Sequence, residues 1–249
     1  MNPETAARLI ALNARFYTTF GPSFAATRRR VQPGVLRVLD ALPDQGRWLD
    51  LGCGPGSLAA EWLRRGRQSA YLGLDFSETL LAEARAAVSR LAGSERVTFV
   101  AADLSTDAWA DGLPPGFSGA LSFAALHHLP SRAMRERVLR QVSDLLLPGG
   151  LFVHSEWQFQ NSPKLMARRV AWETAGFDPA SLEPGDTLLD WRASQPGQPE
   201  PAGLRYVHLF TRDELAALAQ ATGFRVLSEF ESDGQGGNLG LYQVWEKRS

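Results

Sequence analysis

Gly52, Gly54 and Gly56 alternate through the stretch DLGCGPG, residues 50–56, directly behind the apolar run that begins at Trp48. Alternating glycines strip the backbone of side chains where a strand hands over to a helix. Open α/β folds admit small ligands to main-chain N–H groups at such places. The spacing is G-x-G-x-G, with Ser57 where the third glycine of a dinucleotide fingerprint would stand. Asp50, just ahead of the loop, would sit awkwardly beside a pyrophosphate and suits a cationic amino group. Asp75 and Asp103 close two later apolar runs. The first is placed to accept hydrogen bonds from both ribose hydroxyls, the second to meet an adenine amino group. Together these residues describe a site for a nucleoside carrying an amino-acid tail.

The elements that must position them follow from periodicity. RWLDL (47–51), AYLGLD (70–75), RVTFVAAD (96–103), FSGALSFAAL (117–126) and LFVHSEW (151–157) read as five strands. Between them lie helical stretches. One runs through Leu58, Trp62 and Leu63; a second, capped by Ser77, carries Leu80, Ala84 and Val88; a third, capped by Ser131, carries Met134, Val138, Val142 and Leu145. Such alternation predicts a parallel sheet with helices on both faces and right-handed crossovers. Thr211 and Glu214 have capping-box spacing ahead of a last helix, and FRVLSEF with LGLYQVWEK predict an antiparallel hairpin at one sheet edge. Residues 1–43 read as a helical lead-in. Residues 158–205, with six prolines, interrupt the rhythm and are expected to form a partly helical cap over the ligand.

Composition narrows the function classes. The 249 residues carry a formal charge of −1 and are 44% hydrophobic, enough for a sizeable core and giving no global reason to bind nucleic acid or anionic membrane. The single cysteine, Cys53, excludes an intramolecular disulfide or a cysteine-built zinc site within one chain and fits a reducing cytoplasm. No signal peptide or membrane span is expected. Adjacent His127 and His128 point in different directions, so no metal is implied.

The loop DLGCGPG, together with GLDFS, AADL, LHHL and LLLPGG, resembles the class I S-adenosylmethionine-dependent methyltransferases over residues 40–157. The resemblance implies a Rossmann-like α/β fold, a seven-stranded mostly parallel sheet with one antiparallel edge strand and a substrate-cap insertion, in a single domain over 1–249. It also implies S-adenosylmethionine as cofactor, S-adenosylhomocysteine as product, and a cofactor site of Asp50, Gly52, Cys53, Gly54, Gly56, Asp75, Phe76, Asp103 and Leu104. Cytosine-5 chemistry needs a cysteine nucleophile, and the only thiol lies inside the cofactor loop. FAALHHLP also lacks the Asn/Asp-Pro-Pro-aromatic motif of enzymes that methylate exocyclic amines of bases.

The flanks resemble the tRNA wobble-uridine carboxymethyl methyltransferases in FYTTFGPSFAATRRR, PGDTLLDWR and LRYVHLF. By motif, the resemblance implies roles for Thr27, Arg28, His127, Asp186, Trp191, Arg205, Tyr206 and His208, with Arg29, Arg30 and Trp157 expected beside the substrate. Arg29 and Gln32 replace two of that family's aromatics, Val207 a tyrosine and Leu239 a tryptophan. A carboxylate is already ionised at neutral pH and is itself a nucleophile, so esterifying it requires alignment with the sulfonium methyl and no general base. Arg28 and Arg205 are expected to clamp it while His127 orients it. The partners this implies are tRNA and a small zinc-binding activator protein. A small-molecule O-, N- or C-methyltransferase and a non-catalytic nucleoside-binding or activator subunit are the competing readings.

Overall fold

Repeated strand–helix alternation places the glycine loop at a strand end in the computed structural model, which describes residues 1–26, 30–192 and 202–248. The first part of the chain forms α1 (Pro3–Ala26), α2 (Pro33–Ala41), β1 (Arg47–Leu51), α3 (Ser57–Arg64), β2 (Ala70–Asp75), α4 (Glu78–Val88), β3 (Val97–Ala101), β4 (Phe117–Phe123), α5 (Arg132–Leu145) and β5 (Leu146–Trp157). There follow α6 (Pro163–Met166), β6 (Arg169–Val170), β7 (Asp186–Arg192), β8 (Ala202–His208), α7 (Arg212–Ala221), β9 (Phe224–Ser232) and β10 (Gly240–Lys247).

The main sheet has the order β3-β2-β1-β4-β5-β10-β9. β1 to β5 pair in parallel, and β10 runs antiparallel to both β5 and β9. Strand order reverses between β1 and β4, and the crevice beyond the carboxyl ends at such a reversal is where open α/β sheets hold ligands. A nearly continuous apolar core covers each face. Val138, Val142, Leu215 and Leu218 of α5 and α7 pack on Phe152 and Trp245, while Trp62, Leu81 and Ala84 of α3 and α4 pack on Trp48 and Tyr71. Each large apolar side chain fully buried here contributes about 1.5–3 kcal/mol.

The caps hold where the spacing predicts them. Ser77, Ser131 and Thr211 accept hydrogen bonds from the amides of Leu80, Met134 and Glu214. Glu214, however, sends its carboxylate to His208 and Arg135. The α5 helix ends at Leu145, and residues 146–150 already belong to β5, with Leu146 beside Phe117.

The interruption after β5, expected as a partly helical cap, also carries strands that its composition does not announce. It holds short helical turns, but its frame is a three-stranded antiparallel sheet, β6-β7-β8, whose last strand extends past residue 205 to His208. Its two longer strands, DTLLDWR and AGLRYVH, mix polar and charged residues among the apolar ones, so the pattern is weak in one dimension; pairing and a helix laid across them make it legible. That helix is α1. Leu9 and Leu12 pack on Leu188 and Tyr206, and Asn13 grips the Tyr206 backbone, accepting its N–H at 2.8 Å and donating to its carbonyl at 3.1 Å. Among the described residues no helix is long and apolar enough to cross a membrane.

Candidate functional site

A cavity of about 610 Å³ opens at the carboxyl ends of β1, β2, β4 and β5, roofed by α1. Asp50, Gly52, Cys53, Gly54, Asp75, Phe76, Asp103 and Leu104 line one wall. Gly54 and Gly56 are glycine for different reasons. Both sit at positive φ, +54° and +75°, but a Cβ on Gly54 would project into open space, whereas one on Gly56 would meet the Ala84 backbone at 2.8 Å. Gly54 thus leaves room for a ligand to approach the main chain, and Gly56, outside the lining, lets α3 pack on α4. The Asp75 carboxylate accepts the amides of Gly54 and Ser77, each at 2.9 Å, tying loop and second strand together.

Asp50 is 3% exposed and its carboxylate accepts the Tyr71 hydroxyl. Burial is the largest influence on it and, with Asp75 nearby, pushes its pKa up to about 7, against the Tyr71 hydrogen bond that lowers it. A buried carboxylate so placed gains much from a cationic partner. Wall, acids and open glycine fit a nucleoside whose amino-acid tail lies over the loop.

The opposite wall comes from α1 (Ile10, Asn13, Ala14, Tyr17), from Arg30, and from His128, Glu156 and Trp157. His128 Nδ1 faces the Tyr206 carbonyl at 3.2 Å, an acceptor only. In the neutral ring Nδ1 therefore carries the proton and Nε2 accepts from the Tyr17 hydroxyl at 2.8 Å. Glu156, 1% exposed, lies between the Nδ1 atoms of His154 (3.0 Å) and His127 (3.2 Å). Burial raises the Glu156 carboxyl well above the usual range and pushes the His154 imidazole down to about 3, so it works against charge on both. Ala124, at φ +56° on the rim, is a strained non-glycine residue whose amide donates to the Ser155 carbonyl at 3.0 Å.

The residues expected to touch substrate divide into three groups. Arg30 and Trp157 line the cavity. Thr27, Arg28 and Arg29 lie outside the described residues. His127, Asp186, Trp191, Arg205, Tyr206 and His208 are buried behind the lining. His127 faces Glu156, and its neighbour His128 is the one at the cavity. Arg205 has its guanidinium carbon 4.7 Å from the Trp157 ring centre and 5.6 Å from that of Phe16, backing the aromatic wall. Trp191 packs edge-on against Phe16 at 5.9 Å.

Asp186, Tyr206 and His208 form a buried polar network. Asp186 Oδ1 accepts from the Tyr206 hydroxyl and pairs with His208 Nδ1, both at 2.8 Å. His208 Nε2 reaches Glu214 at 3.0 Å, and Arg135, 1% exposed, joins Glu214 to Glu183. Burial works against the charged His208 imidazole, yet its hydrogen bonds to the Asp186 and Glu214 carboxylates raise its pKa. These residues hold the cap to the core.

Tyr17, Asn13, Glu156 and His128 were not singled out by sequence reasoning. Polar residues inside the otherwise apolar LFVHSEW strand were the available signal for Glu156; Tyr17 and Asn13 carry none without the fold.

The profile of a methyltransferase domain matches residues 24–229. Two relatives are informative. A tRNA (carboxymethyluridine(34)-5-O)-methyltransferase of Arabidopsis thaliana is 26% identical over 57% of this chain and 32% of its own length. A trans-aconitate 2-methyltransferase of Streptomyces avermitilis is 36% identical over 47% of this chain and 40% of its own. The chain thus spans well under half the length of each. In fold it is similar to a crystal structure from Methanosarcina mazei described as a SAM-dependent methyltransferase, with TM-score 0.64 and 22% identity over 88% of this chain and 98% of that one.

Proposed function

The chain belongs to the methyltransferase domain family, and from that premise we propose that it transfers the methyl group of S-adenosylmethionine to a carboxylate, the carboxymethyl group of a tRNA wobble uridine, making its methyl ester. One observation carries the carboxylate: among the described residues of the acceptor side, Arg30 brings a cation, while His128, Glu156 and Asp233, the groups that could take a proton, are already hydrogen-bonded within the protein. His128 has both ring nitrogens engaged, Glu156 is buried between two imidazoles with its carboxyl raised well above the usual range, Asp233 accepts from the Tyr242 hydroxyl, and Arg30 supplies positive charge. An amine or alcohol must lose a proton during transfer, whereas a carboxylate need only be aligned. The two relatives differ in size and substrate, yet trans-aconitate and carboxymethyluridine both present a carboxylate.

When bound, the cofactor would supply an electrophilic methyl on a sulfonium; Asp50 would take its ammonium, the open backbone at Gly54 would admit the tail, and Asp75 would hold the ribose. Arg30 and the Tyr17–His128 pair orient the acceptor carboxylate opposite, and Trp157, steadied by Arg205, closes the site against water.

The tRNA acceptor draws support from the resemblance outside the cofactor motifs, at residues 184–192 and 204–210. A small carboxylic acid is the second reading, favoured by the trans-aconitate relative. Incubation with methyl-labelled cofactor and either total tRNA or a panel of small polycarboxylic acids separates the two. Label in a tRNA nucleoside is the expected result. Label confined to the acids moves the assignment to the second reading, and transfer to neither overturns both.

A further inference from the structure

Basic side chains on this molecule are of two kinds. Those of α5 are internally committed: Arg132 and Arg140 both bond Glu136, Arg137 pairs with Asp107 and bonds the Leu104 and Ser105 carbonyls, and Arg135 is buried in its network. Lys164, Arg168 and Arg169 differ. They follow one another along α6 and into β6, two are exposed and one half-buried, and no acidic partner is found for them among the described residues.

Arg169 lines a groove of about 400 Å³ on the cap, together with Met166, Trp172, Glu173 and Thr187 among others, and Lys164 and Arg168 each stand two residues from Met166 in the chain. Trp172 is half-buried, with its edge braced on Phe177 at 5.8 Å. Consecutive residues of α6 join the groove to the reaction cavity: Leu165 lines the cavity and Met166 lines the groove. A chain leaving the cavity over α6 passes the segment that carries Lys164, Arg168 and Arg169 and reaches a groove holding an aromatic ring and one acid, Glu173.

The geometry points to this groove as the seat of the single-stranded RNA flanking the modified nucleotide, with Lys164, Arg168 and Arg169 on phosphates and Trp172 beneath a neighbouring base. This rests on the tRNA reading above. Single-stranded RNA asks for this combination, because phosphates need uncommitted cations along a path and unpaired bases stack on aromatic rings without regard to sequence.

The test uses the full chain and a fluorescein-labelled anticodon stem–loop carrying carboxymethyluridine at the wobble position. Affinity is measured by anisotropy over a salt series, with S-adenosylhomocysteine binding as the control for folding. Replacing Lys164, Arg168 and Arg169 together by Gln is expected to weaken binding at least tenfold at low salt. It should also reduce the slope of log affinity against log salt by about 2, the value for three lost single-strand contacts. Trp172→Ala should weaken binding about tenfold with the slope unchanged, and Trp172→Phe should restore most of it. Arg132→Gln with Arg140→Gln on α5 should leave the slope as it was. If the unsubstituted chain binds and methylates the stem–loop but the triple substitution matches it in affinity and slope, the groove assignment is overturned while the tRNA reading stands. If the unsubstituted chain neither binds nor methylates the stem–loop, the tRNA reading fails and takes the groove assignment with it.

Discussion

The two walls of the cavity are made in different ways. The cofactor wall is assembled from strand ends and their loops, in segments of a few residues whose spacing is local: Asp50 to Gly56, then Asp75 and Phe76, then Asp103 and Leu104. The acceptor wall is assembled from side chains brought together over long distances in sequence. Asn13 holds Tyr206, Tyr17 meets His128, and Arg135 joins Glu183 to Glu214. Local backbone geometry leaves a signature of glycines and acids that any chain binding the same ligand must repeat. A wall made of tertiary contacts leaves no such signature and is free to change with the acceptor.

The largest effect is expected at the anchor of the acceptor side. Arg135→Leu leaves Glu183 and Glu214 without their buried cation and should lower unfolding stability by about 3–5 kcal/mol, read by urea denaturation. A loss under about 1 kcal/mol would mean the network does not hold the cap. On the cofactor side, Asp50→Asn removes the buried charge facing the ammonium and should weaken cofactor binding by about 2–5 kcal/mol in calorimetry. The pH profile sharpens this. Asp50 titrates at about 7 in the free protein and must be ionised in the complex, so affinity should fall by about tenfold per pH unit below 7. A profile flat from pH 5 to 7 would place the ammonium elsewhere.

Smaller effects separate the walls further. The pKa of His208 is raised in the folded chain, so its stabilising contribution is complete below the ordinary imidazole value of about 6.5 and is lost as pH rises through the elevated one. The melting temperature should decline over that window, and His208→Gln should remove the decline; an unaltered pH dependence in the variant would exclude His208 as its source. The smallest change is expected at Glu156. Burial disfavours its charge, and Gln keeps its shape and its hydrogen-bonding capacity, so Glu156→Gln should cost less than about 1 kcal/mol, whereas Glu156→Ala orphans two imidazoles and should cost about 1–3 kcal/mol. Equal losses in both variants would show that Glu156 is ionised when buried.

Much of the fold was legible because strand and helix periods alternate cleanly through residues 47–157 and the helix caps are explicit. The cofactor wall was legible for the same reason. Residues 158–208 were not, since two strands of a small sheet with modest apolar alternation depend on pairing and on α1 for their identity. The adjacent histidines show the limit most plainly. His127 and His128 cannot be ranked by type or position in LHHL; a tight turn sends the first to Glu156 and the second to the cavity. Arg205, Tyr206 and His208 carry charge and hydrogen-bonding capacity, which in sequence looks like chemistry at the substrate. In three dimensions they brace the wall behind it.

The central claim is that the transferred methyl ends on a carboxylate oxygen. The most direct measurement is the fate of labelled methyl after the carboxymethyluridine stem–loop has been modified and then treated with mild base. Release of the label as volatile methanol is the predicted result, because a methyl ester hydrolyses under those conditions. Label that stays with the RNA through base treatment would place the methyl on nitrogen, carbon or an ether oxygen and contradict the account.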